Sequence, residues 1–250
     1  MNVLVDGPAD APTVVLLHTI CTDHTLWSPM LKHLPETLRI ICPDLPGHGL
    51  SAPGPSKIGS FISDVEDCLD AQGVTNATIV GHGLGGLIAQ GLATKRMDQV
   101  RALVLSGTAT KLETKERWQR VAREIQSEGS RAFERHIARR WDGPTGTWTM
   151  DRDAFTGEGL KRAVAAIAGA DFYSTTAALR LPTLVLVGAR DAFTPPDLAR
   201  ELADLVPGSR FETLRGAGHL SMLDTPDLYA NKLLEFFRGI GDAPEPNPSH

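Results

Sequence analysis

Only three cysteines, Cys21, Cys42 and Cys68, occur in the 250 residues, and no two of them form a CxxC pair. An odd count without framework spacing excludes a disulfide scaffold and fits reduced thiols in a cytoplasmic protein. No apolar run approaches the roughly 18 residues of a membrane span. The N-terminal MNVLVDGPADAP lacks the basic region and apolar stretch of a secretory signal. Basic residues are not in excess: 25 Lys and Arg stand against 30 Asp and Glu, for a net charge of −5. Without a dense basic run, nucleic acid is a poor partner. No HxHxD or HExxH spacing occurs, so no catalytic metal is expected. What the chain does have is an ordinary 42% of hydrophobic residues, enough for a large core in one domain.

The apolar residues come in short runs. Thr13–His18, Leu38–Cys42, Ala77–Gly81, Val100–Leu105, Thr183–Gly188 and Ser209–Thr213 read as strands, most of them buried on both faces. Helical periodicity fills 24–33, 60–72, 84–95, 197–206 and 225–238. Strands alternating with helices predict βαβ units and a mostly parallel, doubly wound α/β sheet. Asn2–Val5 fits a short antiparallel edge strand. Residues 111–178 break the rhythm with helical segments such as Glu116–Ile125, and carry Trp118, Trp141 and Trp148. This stretch reads as a helical cap between core segments 1–110 and 179–240; the competing reading is extra core helices. The proline-bearing tail 241–250 is expected to be disordered.

The most informative segment is Gly81-His82-Gly83-Leu84-Gly85-Gly86, where a strand ends, the chain turns and a helix begins. Two motifs compete for it. Gly81, Gly83 and Gly86 fit G-x-G-x-x-G, the dinucleotide fingerprint. That fingerprint needs an acid about 20 residues on to hold the ribose. The region reads Leu103-Val-Leu-Ser106-Gly107-Thr108, so no nucleotide cofactor is expected. The same residues fit G-x-S-x-G, the nucleophile elbow, with glycine in place of serine. Asp191 follows one strand in Gly188-Ala-Arg-Asp191, and His219 follows the next in Gly216-Ala-Gly218-His219. Elbow, acid, histidine is the order of residues in α/β-hydrolases. Singly, Asp191 could cap the following helix and His219 could be a loop histidine. The three together, each after a strand, form a joint signal.

On these residues, with His18-Thr-Ile-Cys-Thr-Asp23-His-Thr-Leu-Trp27, Asp44-Leu-Pro-Gly47-His48-Gly49-Leu-Ser51 and Arg140-Trp141, the chain resembles the α/β-hydrolases over about residues 6–238. Within them it is most similar to the 3-oxoadipate enol-lactonases. The resemblance implies a base at His219, an orienting acid at Asp191 and a nucleophile position at Gly83. It places the backbone oxyanion donors at Ile20 and Leu84, and it makes His18 and His48 structural. Two departures stand out. Gly83 has no side chain to attack a carbonyl, and Thr19 stands where many hydrolases have glycine. The edge strand with which such chains usually begin is also missing. Ser106 and Cys21 are alternative nucleophiles, though neither sits on a helix-starting elbow. His82 is expected to pack into the core.

The pocket is expected between the sheet's C-terminal edge and the cap. Trp141 is a candidate wall, and Arg139 and Arg140 are candidate forks for a substrate carboxylate, unless they only solvate a cap helix. The expected partner is a small, carboxylated molecule. Three functions remain open. The first is an ester or lactone hydrolase without its serine. The second is a cofactor-free enzyme using His219 and Asp191 as a general base: a water-attack hydrolase, lyase, decarboxylase or dioxygenase. The third is a ligand-binding protein without turnover.

Overall fold

The computed structural model describes residues 1–141 and 157–242. Seven strands form one sheet: β1 (Val3–Asp6), β2 (Thr13–Leu17), β3 (Arg39–Pro43), β4 (Ala77–His82), β5 (Val100–Ser106), β6 (Thr183–Gly188) and β7 (Arg210–Leu214). Their spatial order is β1-β3-β2-β4-β5-β6-β7. Only the β1–β3 pairing is antiparallel. Every residue of β4 and β6 is buried, as strands covered on both faces require, and their runs are accordingly apolar without alternation. β1 is largely exposed at the edge.

This order creates the site. The chain leaves β2 towards β3 on one side, then returns to β4 on the other. The loops after β2 and β4 therefore diverge, and a crevice opens outside the carboxyl ends of these adjacent strands. Helix α1 (Ser28–Leu31) follows a 3-10 turn at His24–Trp27, and α2 (Ile58–Ala71) leads into β4. The continuous helix expected over 24–33 is thus split. Asp23 caps the turn, and Pro29 sits in the first turn of α1, where its missing N–H removes no hydrogen bond.

Helix α3 (Leu84–Lys95) is buried from Leu84 to Ala93 and packs on β2, β4 and β5. It is apolar on nearly every face, as a helix enclosed by the fold is, and its one buried polar side chain, Gln90, donates to Gly86 O and Ala109 O. Between β5 and β6 the described residues are helical: α4 (Lys115–Glu128), α5 (Ser130–His136), a 3-10 turn at Ala138–Arg140, α6 (Gly157–Ala168) and α7 (Tyr173–Ala177). Trp148, one of the three tryptophans assigned to the cap, lies outside the described residues. Helix α8 (Pro196–Leu205) packs on β6 and β7, and α9 (Ser221–Asp224) and α10 (Pro226–Gly239) complete the chain.

The expected disordered tail begins too early. Asp242 is buried, accepts from Thr78 Oγ1 at 2.8 Å and pairs with Arg101. These bonds anchor Gly241 and Asp242 to the ends of β4 and β5; 243–250 lie outside the described residues. Among the described residues no helix is long and apolar enough to cross a membrane.

Candidate active site

Gly83 links β4 to α3 with φ +54° and ψ −112°. A side chain is strained in this conformation, whereas glycine tolerates it. The turn is fixed by its own backbone: Gly83 N–H donates to Ser106 O at 3.1 Å, and Gly83 O accepts from Thr108 Oγ1 at 2.9 Å. A Cβ on Gly85 would lie 2.1 Å from Leu17 O, so a glycine there lets α3 start directly against β2.

Asp191 and His219 follow adjacent parallel strands, which brings their loops together. His219 Nδ1 lies 2.8 Å from Asp191 Oδ2. Thr194 Oγ1 donates to the same oxygen at 2.5 Å, while Oδ1 accepts from the backbone N–H groups of Phe193 and Thr194, each at 2.8 Å. Burial alone would raise the Asp191 carboxyl; the facing imidazole and these donors outweigh it and hold the group below the usual carboxylate range. The carboxylate therefore stays charged, and in the neutral form of the imidazole it fixes the Nδ1–H tautomer, with the Nε2 lone pair as an acceptor. Nε2 is buried and has no hydrogen-bond partner among the described residues. It is a base with no proton donor.

Rings enclose this imidazole. Trp141 stacks on it, with centroids 5.2 Å apart and planes 28° apart. Phe193 meets it edge-on at 5.1 Å, and His82 lies at 4.6 Å. Trp118 and Phe133 extend the cluster into α4 and α5. His82 is fully buried, and burial holds its pKa well below the ordinary value, so it is a neutral packing ring beside the base. Its Nδ1 lies 3.3 Å from Ser106 Oγ.

The loop after β2 carries the second half of the site. His18 Nδ1–H donates to Thr19 O at 2.8 Å, and His18 Nε2 accepts from Leu45 N–H at 2.8 Å. Burial lowers this imidazole to about 4, so it is a neutral brace for the loop. Cys21 adopts φ +58°, which turns the chain sharply. Its thiol is buried, and burial raises its pKa well above the ordinary value, a poor state for a nucleophile. Ile20 N–H is buried and has no acceptor among the described residues.

Leu84 N–H points at Thr19 Oγ1, 3.4 Å away. The donor assigned to the oxyanion is thus already covered by a side chain. That hydroxyl also occupies the space beside the elbow. A Cβ built on Gly83 would lie 2.1 Å from Thr19 Oγ1 and 2.9 Å from Thr19 Cβ.

The cap arginines occupy different positions. Arg139 is exposed. The Arg140 guanidinium donates twice to Ala192 O, at 3.0 and 2.7 Å, pairs with Glu113, and lies 5.3 Å over the Phe193 ring. It straps the 3-10 turn Ala138–Arg140 to the loop carrying Asp191, so the carboxylate fork expected of Arg140 is already engaged by the protein. Asp23, His24 and Asp44 form the one cluster among the described residues with metal-ligand proximity. Asp44 is already engaged by the protein: Oδ1 accepts from His24 within the cluster, and Oδ2 accepts from Asn2 and Leu50 outside it. Sequence reasoning missed Thr194, Phe193 and Thr108. The hydroxyl three residues after Asp191 was the available signal for Thr194; nothing local marked the other two.

Residues 14–232 match the model of the Alpha/beta hydrolase family. The chain belongs to this family. It is 27% identical over 240 residues to 3-oxoadipate enol-lactonase 2 of Acinetobacter baylyi, covering 92% of this chain and 90% of that protein. It is 29% identical over 254 residues to a pimeloyl-[acyl-carrier protein] methyl ester esterase of Chromobacterium violaceum, covering 94% and 98%. Among solved structures, the enol-lactonase from Burkholderia xenovorans LB400 superposes with a TM-score of 0.87 at 27% identity, over 95% of this chain and 96% of that one.

Proposed function

We propose that this hydrolase-family chain acts on a small carboxylic ester or lactone of the enol-lactonase type, with Gly83 at the nucleophile position and water as the attacking group. His219 Nε2 takes one proton of that water as its oxygen bonds to the acyl carbon, and returns it to the leaving oxygen as the ester or lactone C–O bond breaks, while Asp191 holds the imidazole in the required tautomer. Ile20 N–H stabilises the developing oxyanion. The observation that carries this reading is a buried Nε2, unpartnered among the described residues, on an imidazole held at 2.8 Å by an ionised carboxylate. The family match and the lactonase and esterase relatives support the substrate class.

The reading implies slow chemistry. Removing the nucleophile from a protease triad lowers turnover by about 10⁶, and roughly 10³–10⁴ over water remains. A positioned general base accounts for about 10²–10⁴ of rate. The test is steady-state hydrolysis of enol-lactones and aryl esters, with intact-mass analysis of acid-quenched enzyme. Turnover that falls at least about 10²-fold in His219→Ala, without an acyl adduct, is expected. An acyl adduct on the chain refutes water attack. No turnover on any lactone or ester favours a second reading, ligand binding without hydrolysis, to which the covered Leu84 N–H already points.

A further inference from the structure

Thr19 is 1% exposed, yet its hydroxyl proton has no acceptor among the described residues. Its oxygen is engaged as the acceptor of Leu84 N–H, the first amide of the twelve-residue α3. A hydroxyl that accepts from the positive end of a helix becomes a stronger donor through its own proton. It stands in the space that a side chain at residue 83 would take, since a Cβ there would meet Oγ1 at 2.1 Å. Three further buried groups at the carboxyl ends of the same sheet lack partners among the described residues: Nε2 of the packing ring His82, Ile20 N–H, one residue on, and Nε2 of His219. Ile20 N–H and the Thr19 O–H are donors without acceptors; Nε2 of His219 is an acceptor without a donor.

We propose that Thr19 is a ligand-recognition residue: its hydroxyl passes the donor character of Leu84 N–H to a carboxylate or acyl oxygen of the bound molecule. The ligand is a small carboxylic acid derivative whose oxygen accepts from Thr19 O–H and Ile20 N–H, with His219 Nε2 on its other side. The inference rests on the proposed location of the substrate, but not on turnover. Thr19 and Gly83 then form a functional pair, in which the loss of one side chain makes room for the hydroxyl of the other.

The experiment is titration calorimetry of the full chain with succinate, comparing the unmodified protein, Thr19→Ser and Thr19→Val. Serine keeps the hydroxyl, and valine keeps the shape without it. Affinity within about threefold for Thr19→Ser and a loss of about tenfold or more for Thr19→Val are expected, the value of one hydrogen bond to a charged group. In parallel, the unmodified chain is treated with a fluorophosphonate and peptide-mapped; no adduct on Thr19 is expected. Equal affinity for Thr19→Val reduces Thr19 to a space-filling role and overturns the proposal. So does an absence of saturable succinate binding, or an adduct on Thr19, which would make it the nucleophile. These readouts need no hydrolysis. A chain that binds through Thr19 but turns over nothing would refute only the water-attack reading.

Discussion

Placing a serine at residue 83 tests the geometry of the elbow most directly. The substitution introduces a Cβ at φ +54°, 2.1 Å from Thr19 Oγ1 and 2.9 Å from Thr19 Cβ. Backbone strain at such a position costs about 1–3 kcal/mol. Overpacking adds about 1–3 kcal/mol, because the near atoms are not the far end of a flexible chain. Gly83→Ser should therefore destabilise by about 2–6 kcal/mol. Thr19→Gly removes one hydrogen bond and adds backbone freedom, for about 1–3 kcal/mol. In the double variant the collision disappears while the strain stays. Its loss should fall short of the sum by about 1–3 kcal/mol, the overpacking contribution. Urea unfolding of the four proteins, with m-values compared, measures this. Additivity within about 0.5 kcal/mol would refute the steric pairing. Activity should follow the same logic. Gly83→Ser alone should gain little aryl-ester hydrolysis, because the new side chain and the Leu84 amide are both obstructed by Thr19. The double variant should gain at least about 10³-fold, dependent on His219. A gain of that size in Gly83→Ser alone would show that Thr19 swings aside freely.

Further outcomes follow from the dyad, the cap and the buried histidines. Asp191→Asn should keep the fold in thermal melts but lower kcat/KM by about 10²–10⁴, because the imidazole loses its enforced tautomer; an unchanged rate would remove Asp191 from the mechanism. Arg140→Gln should affect carboxylated and uncharged esters of equal size alike in KM, since its guanidinium is spent on Ala192 and Glu113; a selective rise for the carboxylated ester would restore it as a substrate fork. Trp141→Ala should destabilise by about 3–5 kcal/mol in urea unfolding, because a fully buried aromatic is lost. Acid should unfold the protein early: His18 falls to about 4 and His48 to about 3 when buried, so the folded state favours their neutral rings. That stability is complete above about pH 6.5 and is lost as pH falls, His18 alone accounting for about 3 kcal/mol by pH 4. Urea midpoints that stay flat from pH 7 to pH 4 would contradict it.

The core was legible because parallel strands are buried on both faces. Runs such as Thr13–Leu17 and Thr183–Gly188 leave no polar face to confuse with a helix. The chain order of elbow, acid and histidine was equally legible, since each follows a strand and parallel strands deliver their ends to one edge. Boundaries failed where a single contact decides them. Asp242 is ordered by Thr78 and Arg101, which lie 164 and 141 residues away in sequence, and no local composition announces that anchor. Arg140 failed for a related reason. A guanidinium in a cap matches a carboxylate ligand and a backbone carbonyl equally well, and only the fold brings Ala192 O within reach.

The relation between Thr19 and Gly83 is the instructive case. Both departures were visible in the sequence, one as a threonine where glycine is common and one as a glycine where serine is expected. Separately, the first suggests a tolerated variation and the second a broken catalyst. Their residues are 64 positions apart, and they meet because β2 and β4 are hydrogen-bonded neighbours, with Leu17 opposite Gly81 in the register. Two residues past each member of that pair stand Thr19 and Gly83. The register therefore brings the Thr19 hydroxyl beside Gly83, with Oγ1 2.1 Å from where a Cβ at that residue would stand. A site inactivated by loss alone would leave a void and an uncovered Leu84 amide. Here Thr19 Oγ1 takes the space and the amide points at it, which is the arrangement that the proposed attack by water, without an elbow nucleophile, requires.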